Sequence, residues 1–593
     1  MATRFLARID RKACHDDAST NYGTARFREA ILRHGDLDIL IDHGSLILAA
    51  KAKSVLRCGA HGVILGSLFL NGGREAIEIL SQADQQKIAV SRGHWLTHSC
   101  WGPYLAVLHT PEEVRIEIIR APMGELPCLI LETDEAIFLA SDVELLMALA
   151  DYRPVVDWSE TLRHLVHRDI HHSATCLAGV RELPGGDRLS IGSEGSIHDT
   201  LWTPWAFAER KAQIGNRNEA ARLLRDTALD CIAARASSYE RVLLTLSGGL
   251  DSSLVAACLS RQPTKFHALN LVTDDPNGDE RLHARRVSEI LGNGLTETFR
   301  EVTRFDIRQS GARNLPRPCV RGFAVESLRL AHETARAVGA DAIFNGGGGD
   351  NVFCSLQSGS PAADRLLVEG PGTGFLRTAK DMSLFAQASL PAVLGDALQR
   401  AWLGKPAFRL RPELDLLSPD AQKQTAVPRR HPWLVPPPGS LPGKAMHMRF
   451  VAIARSYVES LDPQAVLPII APLLSQPLVE LCLRIPSWFW FEAGHNRMVA
   501  RQAFADILPP DILLRRSKGT PDSFIAQIYE THRLAIRELL TSGELARRGL
   551  IDLPGVLRIL DAPGPIKGKG FERLLQFVDV EVWAHGWAPG STR

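Results

Sequence analysis

The run Val242-Leu243-Leu244-Thr245-Leu246 passes directly into Ser247-Gly248-Gly249-Leu250-Asp251-Ser252-Ser253, and that into Leu254-Val255-Ala256-Ala257-Cys258-Leu259. The first segment reads as a buried strand and the last as the opening turns of a helix, with only a small-residue turn between them. Such a turn sets a helix N-terminus, with its unpaired N–H groups, against whatever lies beyond the strand. Glycine lets backbone approach a ligand closely, and the Ser hydroxyls add donors. The product is an anion site. Asp251 would repel bare phosphate, so a cation belongs between them, most naturally Mg²⁺. Two glycines alone would fit an ordinary tight turn equally well; the full stretch favours the ligand site.

From about residue 218 strands alternate with longer helical segments, the pattern of a parallel sheet. Asn218 to Ala234 reads as a helix leading into the strand at 242. Lys265 to Val272 reads as the next strand, and Asp279-Glu280 opens a helix through Ala284, Val287 and Ile290, acidic residues suiting a helix N-terminus. Ala342-Ile343-Phe344 is a short strand ending in Asn345-Gly346-Gly347-Gly348-Gly349-Asp350. In this reading the four glycines are not packing positions; they leave bare backbone for something flat or charged to lie against. Ligands bind at the carboxyl ends of parallel strands, so Asp251 and Asp350 are expected to converge on one Mg²⁺. A flexible glycine turn with a capping Asp is the plainer alternative. Further on come Pro472 to Glu480, then Gly494-His495-Asn496-Arg497, Arg501 and Arg515-Arg516-Ser517-Lys518-Gly519. Lys518 is a candidate for holding phosphate as a point charge; a solvated basic turn is the bland alternative.

The chain has 593 residues, too many for one core, so two or more domains are expected. Residues 1–205 read as β-rich, with short apolar runs such as Gly62 to Phe69 and Val114 to Ile119. Residues 206–593 hold the alternating pattern. Segments 355–373, rich in Gly, Ser and Pro, and 426–445, with six prolines, read as loops without regular structure. The second could be a lid, a partner surface or a plain loop. Net charge is +1 with no long run of one sign, which argues against a nucleic-acid partner. No run of about 18 apolar residues occurs, so no membrane-spanning helix is expected. Ten scattered cysteines without a CxxC pair fit buried thiols in a reducing cytoplasm. His164, His167, His171, His172 and Cys176 crowd one segment. Read as a helix it would carry three of the histidines on one face, either as a metal site or as a polar surface.

The loop at 247–253 resembles the pyrophosphate-binding loop of enzymes that split ATP between its α and β phosphates; the Gly-Lys-Ser/Thr ending of a Walker loop is absent. The blocks 247–253, 345–350, 472–480 and 515–519, in this order, resemble the asparagine synthetase superfamily, and the resemblance spans nearly the whole chain. Arg120 to Gly124, Phe138 to Asp142 and Leu183 to Gly186 are similar to segments of that family's N-terminal amidotransferase-like fold. The implied architecture is α/β: a degenerate Ntn-amidotransferase-like β-rich sandwich over 1–205, then a PP-loop ATP-pyrophosphatase domain with a parallel sheet over 206–593. The implied ligands are ATP and Mg²⁺. Ser247, Gly248, Gly249, Ser252 and Ser253 would cradle pyrophosphate, and Asp251 and Asp350 would hold the metal. Leu246, Leu271, Asn345 and Gly346 would line the nucleotide site, chiefly through backbone. Lys518 would stabilise charge on the α-phosphate and on the tetrahedral intermediate.

Departures from the family pattern shape the expected chemistry. Ala2 stands where glutamine-dependent members carry the Cys nucleophile, and Cys14 is the nearest thiol. Pro468, Ile470 and Ser475 replace the Glu, Arg and Asp of an aspartate-type pocket. Gly347 stands where the β-lactam synthetases have a Tyr that helps deprotonate the attacking amine. The glycine run, the Leu-Leu-x-x-Pro-Leu-Val-Glu block and Arg-Arg-Ser-Lys-Gly are most similar to the lasso-peptide macrolactam synthetases. That branch implies a precursor peptide as substrate and a leader peptidase as partner. A β-lactam-synthetase-like or ammonia-dependent small-molecule ligase is the second expectation, and a catalytically silent nucleotide- or peptide-binding partner the third.

Overall fold

Strand Arg4–Asp10 sets the pattern of the N-terminal half. Its Phe5, Ala7 and Ile9 face one core and its Leu6 another, the period of two of a strand buried on both faces. It lies between Ala136–Ala140 and Leu46–Lys51 in a six-stranded antiparallel sheet, with Asp38–His43, Leu129–Glu132 and Val180–Glu182 outside them. Val55–Arg57, Gly62–Gly66, Tyr104–Thr110, Arg115–Arg120, Asp187–Gly192 and Gly195–Thr200 form a second six-stranded sheet. Ala7, Leu46 and Leu48 share one core with Val63, Val107, Ile118 and Leu189, so the sheets pack face to face. Phe27, Ile31, Leu145 and Leu146 cover the outside of the first sheet, and Ile88 and Leu96 that of the second. Helix, sheet, sheet and helix layers make the amidotransferase-like sandwich that the resemblance implied.

The computed structural model describes residues 3–11, 18–43, 45–51, 54–110, 115–193, 195–273, 275–276, 278–404, 411–425, 430–515, 519, 521–563 and 570–588. Ala2, Cys14 and Lys518 lie outside the described residues. From residue 217 the chain runs through α1 (Arg217–Ala236), β1 (Arg241–Thr245), α2 (Leu250–Leu259), β2 (Lys265–Val272), α3 (Arg281–Leu291), β3 (Gly294–Phe299), α4 (Ala324–Val338) and β4 (Ala342–Phe344). It continues with α5 (Ser360–Glu369), α6 (Pro442–Val458), β5 (Ile469–Ile470), α7 (Gln476–Arg484), α8 (Met498–Ala503) and, near its end, α9 (Gly570–His585). The five strands form one parallel sheet in the order β3-β2-β1-β4-β5. Leu243, Leu269 and Ile343 pack under Ala331 and Ala335 of α4, while Val242, Leu244 and Phe344 face α1 and α2. Burial on both faces is why these strands read as unbroken apolar runs.

The order matters for function. The chain goes from β1 outward to β2 and β3, then returns to place β4 on the other side of β1. The crevice at the carboxyl ends of β1 and β4 is therefore the topological switch point, where open α/β sheets bind ligands. One core joins the two halves: Phe69, Trp101, Met123 and Trp202 cluster with Leu244 and Val479. Trp583 of α9 packs in turn among Leu6 and Phe138. Among the described residues no helix is long and apolar enough to cross a membrane.

Three expectations are corrected. Segment 355–373 is not a loop: α5 runs through it, with Pro361 in the first turn and Ala362, Ala363 and Leu366 buried. Segment 426–445 is not free of regular structure either, because Pro432 starts a short 3₁₀ turn and Pro442 opens α6. Proline lacks an N–H that the first helical turn does not need, so it starts helices as readily as it breaks them. The histidine segment is not one helical face. The helix Trp158–Val166 ends before His167, and among the described residues no group of three or more His, Cys, Asp or Glu is placed to hold a metal.

Candidate active site

The loop after β1 is closed by its own hydroxyls. Ser252 Oγ accepts from Ser247 N at 3.3 Å and donates to Gly249 O at 3.3 Å, and Ser247 Oγ accepts from Gly249 N at 3.2 Å. Gly249 caps α2 without a side chain, so the amides of the first turn begin unpaired. Gly248 has φ +67°, and a Cβ there would lie 2.5 Å from His283 Cβ and 2.7 Å from Ala284 N. Only glycine lets the loop sit this tightly on the start of α3.

Pairing of β1 with β4, Leu244 opposite Phe344, brings the second loop against the first. Here the glycines do pack, contrary to expectation. A Cβ on Gly346 would come 2.6 Å from Ser252 N, one on Gly348 would strike Leu474, and one on Gly349 would strike the Asp251 carboxyl. Bare backbone is needed so that the two loops can touch. Asn345 Oδ1 accepts from Gly347 N at 2.8 Å, and Asn345 Nδ2 donates to the Tyr457 hydroxyl at 3.1 Å.

Asp251 and Asp350 converge as expected, on a cation supplied by the chain itself. Arg497 Nη1 donates to Asp251 Oδ1 and Oδ2 at 2.9 and 3.0 Å and lies 2.6 Å from Asp350 Oδ1. Asp251 is buried, whereas the Asp350 side chain is 42% exposed. Arg497 is itself held in place. Its backbone takes φ +56° at the start of α8, and Arg501, four residues on, donates to Asn496 O at 2.7 Å. Burial, and then the charge of Arg497, push the Arg501 guanidinium down to about 10.

Some expected residues are placed otherwise. Ser253 is fully enclosed and its hydroxyl has no hydrogen-bond partner, so it does not line the crevice. Leu246 is in the core, its N–H bonded to Leu269 O and its carbonyl to Asn270 Nδ2, both at 2.8 Å. That leaves no free amide hydrogen there for a nucleotide. Leu271 lies near the carboxyl end of β2, beside β1. Of the stretch 515–519 the described residues are Arg515 and Gly519, and both meet Glu280, just before α3: Gly519 N donates to Glu280 Oε1 at 3.1 Å, and Arg515 Nη2 lies 3.1 Å from the same oxygen. The sequence alone marked Glu280 only as an acidic residue at a helix start and Arg497 only as part of the stretch after the Pro472 block, and it gave Tyr457 no place.

A 117-residue stretch is 32% identical to carboxyethyl-arginine beta-lactam-synthase of Streptomyces clavuligerus, covering 19% of this chain and 22% of that protein. A 153-residue stretch is 28% identical to the tRNA-specific 2-thiouridylase MnmA of Geobacter metallireducens, covering 21% of this chain and 42% of that one. The chain thus spans less than half the length of these relatives. Among solved structures, the B. subtilis glutamine phosphoribosylpyrophosphate amidotransferase complexed with ADP and GMP is similar over 58% of this chain and 90% of that one, at 11% identity and a TM-score of 0.22. The asparagine synthase family model matches residues 223–585, well over half of the sequence, and the chain belongs to that family.

Proposed function

We propose that the protein is an ATP-dependent amide ligase that forms AMP and pyrophosphate and closes a peptide into a macrolactam, as in lasso-peptide biosynthesis. The observation that carries the reading is the meeting of Asp251 and Asp350 on one cationic nitrogen beside a preformed anion loop. Two carboxylates joined by substrate phosphates suit Mg²⁺, which needs few protein ligands, and Arg497 Nη1 marks the point where both can reach a cation. Bound there, Mg²⁺ would neutralise phosphate charge. The amides of the first turn of α2 and the Ser247–Ser252 loop would hold the leaving pyrophosphate. Lys518, from the family resemblance, would stabilise charge on the α-phosphate.

In this reading a side-chain carboxylate of the peptide attacks the α-phosphorus, and pyrophosphate leaves. The peptide's N-terminal amine then attacks the acyl carbon, and AMP leaves. A free α-amine titrates near pH 8, so much of it is neutral in mildly alkaline solution, which suits a loop with Gly347 in place of a side-chain base. Ala2 favours an amine from the substrate over ammonia from glutamine. A separate peptidase would release that amine by removing a leader, and buried free thiols suit a cytoplasmic setting. The local identity to a beta-lactam-synthase favours a second reading, ring closure on a small molecule.

ATP–pyrophosphate exchange driven by a synthetic peptide with one Asp or Glu tests the reading. Asp251→Ala and Asp350→Ala should each abolish it with the fold intact by circular dichroism, a loss of about 10²–10³ for an electrostatic group of this kind. Near-normal exchange in either variant would show that the metal site is misplaced.

A further inference from the structure

Gly347 and Tyr457 occupy one space. A Cβ on Gly347 would lie 2.8 Å from Tyr457 Cε1, so the ring from α6 stands where a side chain of the second loop would stand. The hydrogen-bond chain between them has one sense only. Gly347 N can only donate, so the oxygen of the Asn345 amide faces it, at 2.8 Å, and the NH₂ faces Tyr457. That NH₂ donates to the Tyr457 oxygen at 3.1 Å. The hydroxyl's own hydrogen therefore points elsewhere, and 40% of the Tyr457 surface is accessible. Desolvation by its surroundings raises the phenol above its ordinary value, with the Asn345 bond working the other way, so at neutral pH the group stays a donor.

The helix end that carries Tyr457 is clamped by the sandwich. His171 N donates to Ser456 Oγ at 3.0 Å, and Glu459 Oε2 lies 3.4 Å from His171 Nδ1. Glu459 Oε1 lies 3.0 Å from Arg455 Nε and 3.7 Å from Arg120 Nη1. Burial alone would raise the Glu459 carboxyl, but Arg455, His171 and Arg120 outweigh it and hold it well below the usual range. The hydroxyl is thus fixed at the lip of the loop that carries Asp350.

We infer that Tyr457 is a catalytic residue that donates a hydrogen bond to the acyl oxygen as the amine attacks. The inference rests on the ligase reading above. In the step, the amine nitrogen bonds to the acyl carbon and the carbonyl π pair moves to oxygen, where Tyr457 meets the new negative charge. The pair returns, the bond from carbon to the AMP oxygen breaks with its electrons on AMP, and the ammonium proton passes to water. Tyr457 keeps its proton throughout. Adenylation, an attack at phosphorus, places no charge on that oxygen and needs no such donor.

Tyr457→Phe removes only the hydroxyl. The full-length protein is assayed with ATP, Mg²⁺ and a synthetic peptide bearing a free N-terminal amine and one Asp or Glu. The readouts are ATP–pyrophosphate exchange, trapping of the acyl adenylate by hydroxylamine, and the kcat and KM of amide formation. Exchange should stay within about twofold of wild type while kcat for the amide falls about 10²–10³-fold, the loss seen for one oxyanion donor, at unchanged KM. Gly347→Ala, which displaces the ring, should repeat the kcat loss. A kcat loss under about tenfold, or equal loss of exchange and ligation, would overturn the inference. Absence of exchange in the wild type would instead bring down the ligase reading and this inference with it.

Discussion

Arg497 Nη1 sits on both carboxylate oxygens of Asp251, at 2.9 and 3.0 Å, with neither side chain more than 12% exposed. Without metal, this guanidinium is a counter-charge for Asp251, which is buried beside Asp350 with Arg501 also within electrostatic reach. Arg497→Met should therefore destabilise the metal-free protein by about 3 kcal/mol, the low end for breaking a buried pair. Mg²⁺ should then raise the melting temperature of the variant more than that of wild type, since binding to the folded state alone stabilises it. Equal Mg²⁺ responses in the two proteins would mean that the carboxylates do not form the metal site.

Two glycines separate backbone strain from crowding. Gly248 and Gly292 share nearly the same φ, +67° and +69°, but a Cβ on Gly292 meets nothing within 4 Å, whereas one on Gly248 collides with α3. Gly292→Ala should cost only the left-handed strain, about 1 kcal/mol, and leave nucleotide binding intact. Gly248→Ala should cost about 2–4 kcal/mol, because the loop or α3 must also move. Urea unfolding gives the stabilities and equilibrium binding of ATP gives the second readout. Normal ATP affinity in Gly248→Ala would remove this loop from the site.

Glu480, in the block that resembles the family's Leu-Val-Glu, is a strut between the halves and not a site residue. Its Oε1 accepts from Trp202 Nε1 at 2.7 Å and Gln476 Nε2 at 2.8 Å, and burial pushes its carboxyl up to about 7. A folded pKa above the unfolded value near 4.5 means that the stability it contributes is full below about 4.5 and is lost as pH rises through 7. Glu480→Gln keeps an oxygen for both donors and cannot ionise. It should match wild type near pH 4.5 and exceed it by about 3 kcal/mol at pH 8. A pH-independent difference between the two proteins would contradict that assignment.

The parallel sheet was legible because its strands are buried on both faces, and the limits of β2 and β4 fall where their apolar runs do. The convergence of Asp251 and Asp350 was legible as well, since adjacent parallel strands deliver their loops to one edge. The helix at 360–369 was hidden by composition: Gly359, Ser360 and Pro361 mark a turn in isolation, but burial of Ala362, Ala363 and Leu366 decides for a helix. Arg497 and Tyr457 were illegible for a different reason. Each meets its partner across more than a hundred residues, and nothing in local spacing records a contact made only by the fold.

The central claim is tested most directly by the products. The protein, ATP, Mg²⁺ and a synthetic peptide with a free N-terminal amine and one Asp or Glu are incubated together, and nucleotides and peptide are analysed by chromatography and mass spectrometry. Equal amounts of AMP, pyrophosphate and a peptide lighter by one water, all lost when the amine is acetylated except residual adenylation, are the predicted result. Formation of ADP, or efficient conversion of free aspartate and ammonia to asparagine, would contradict it.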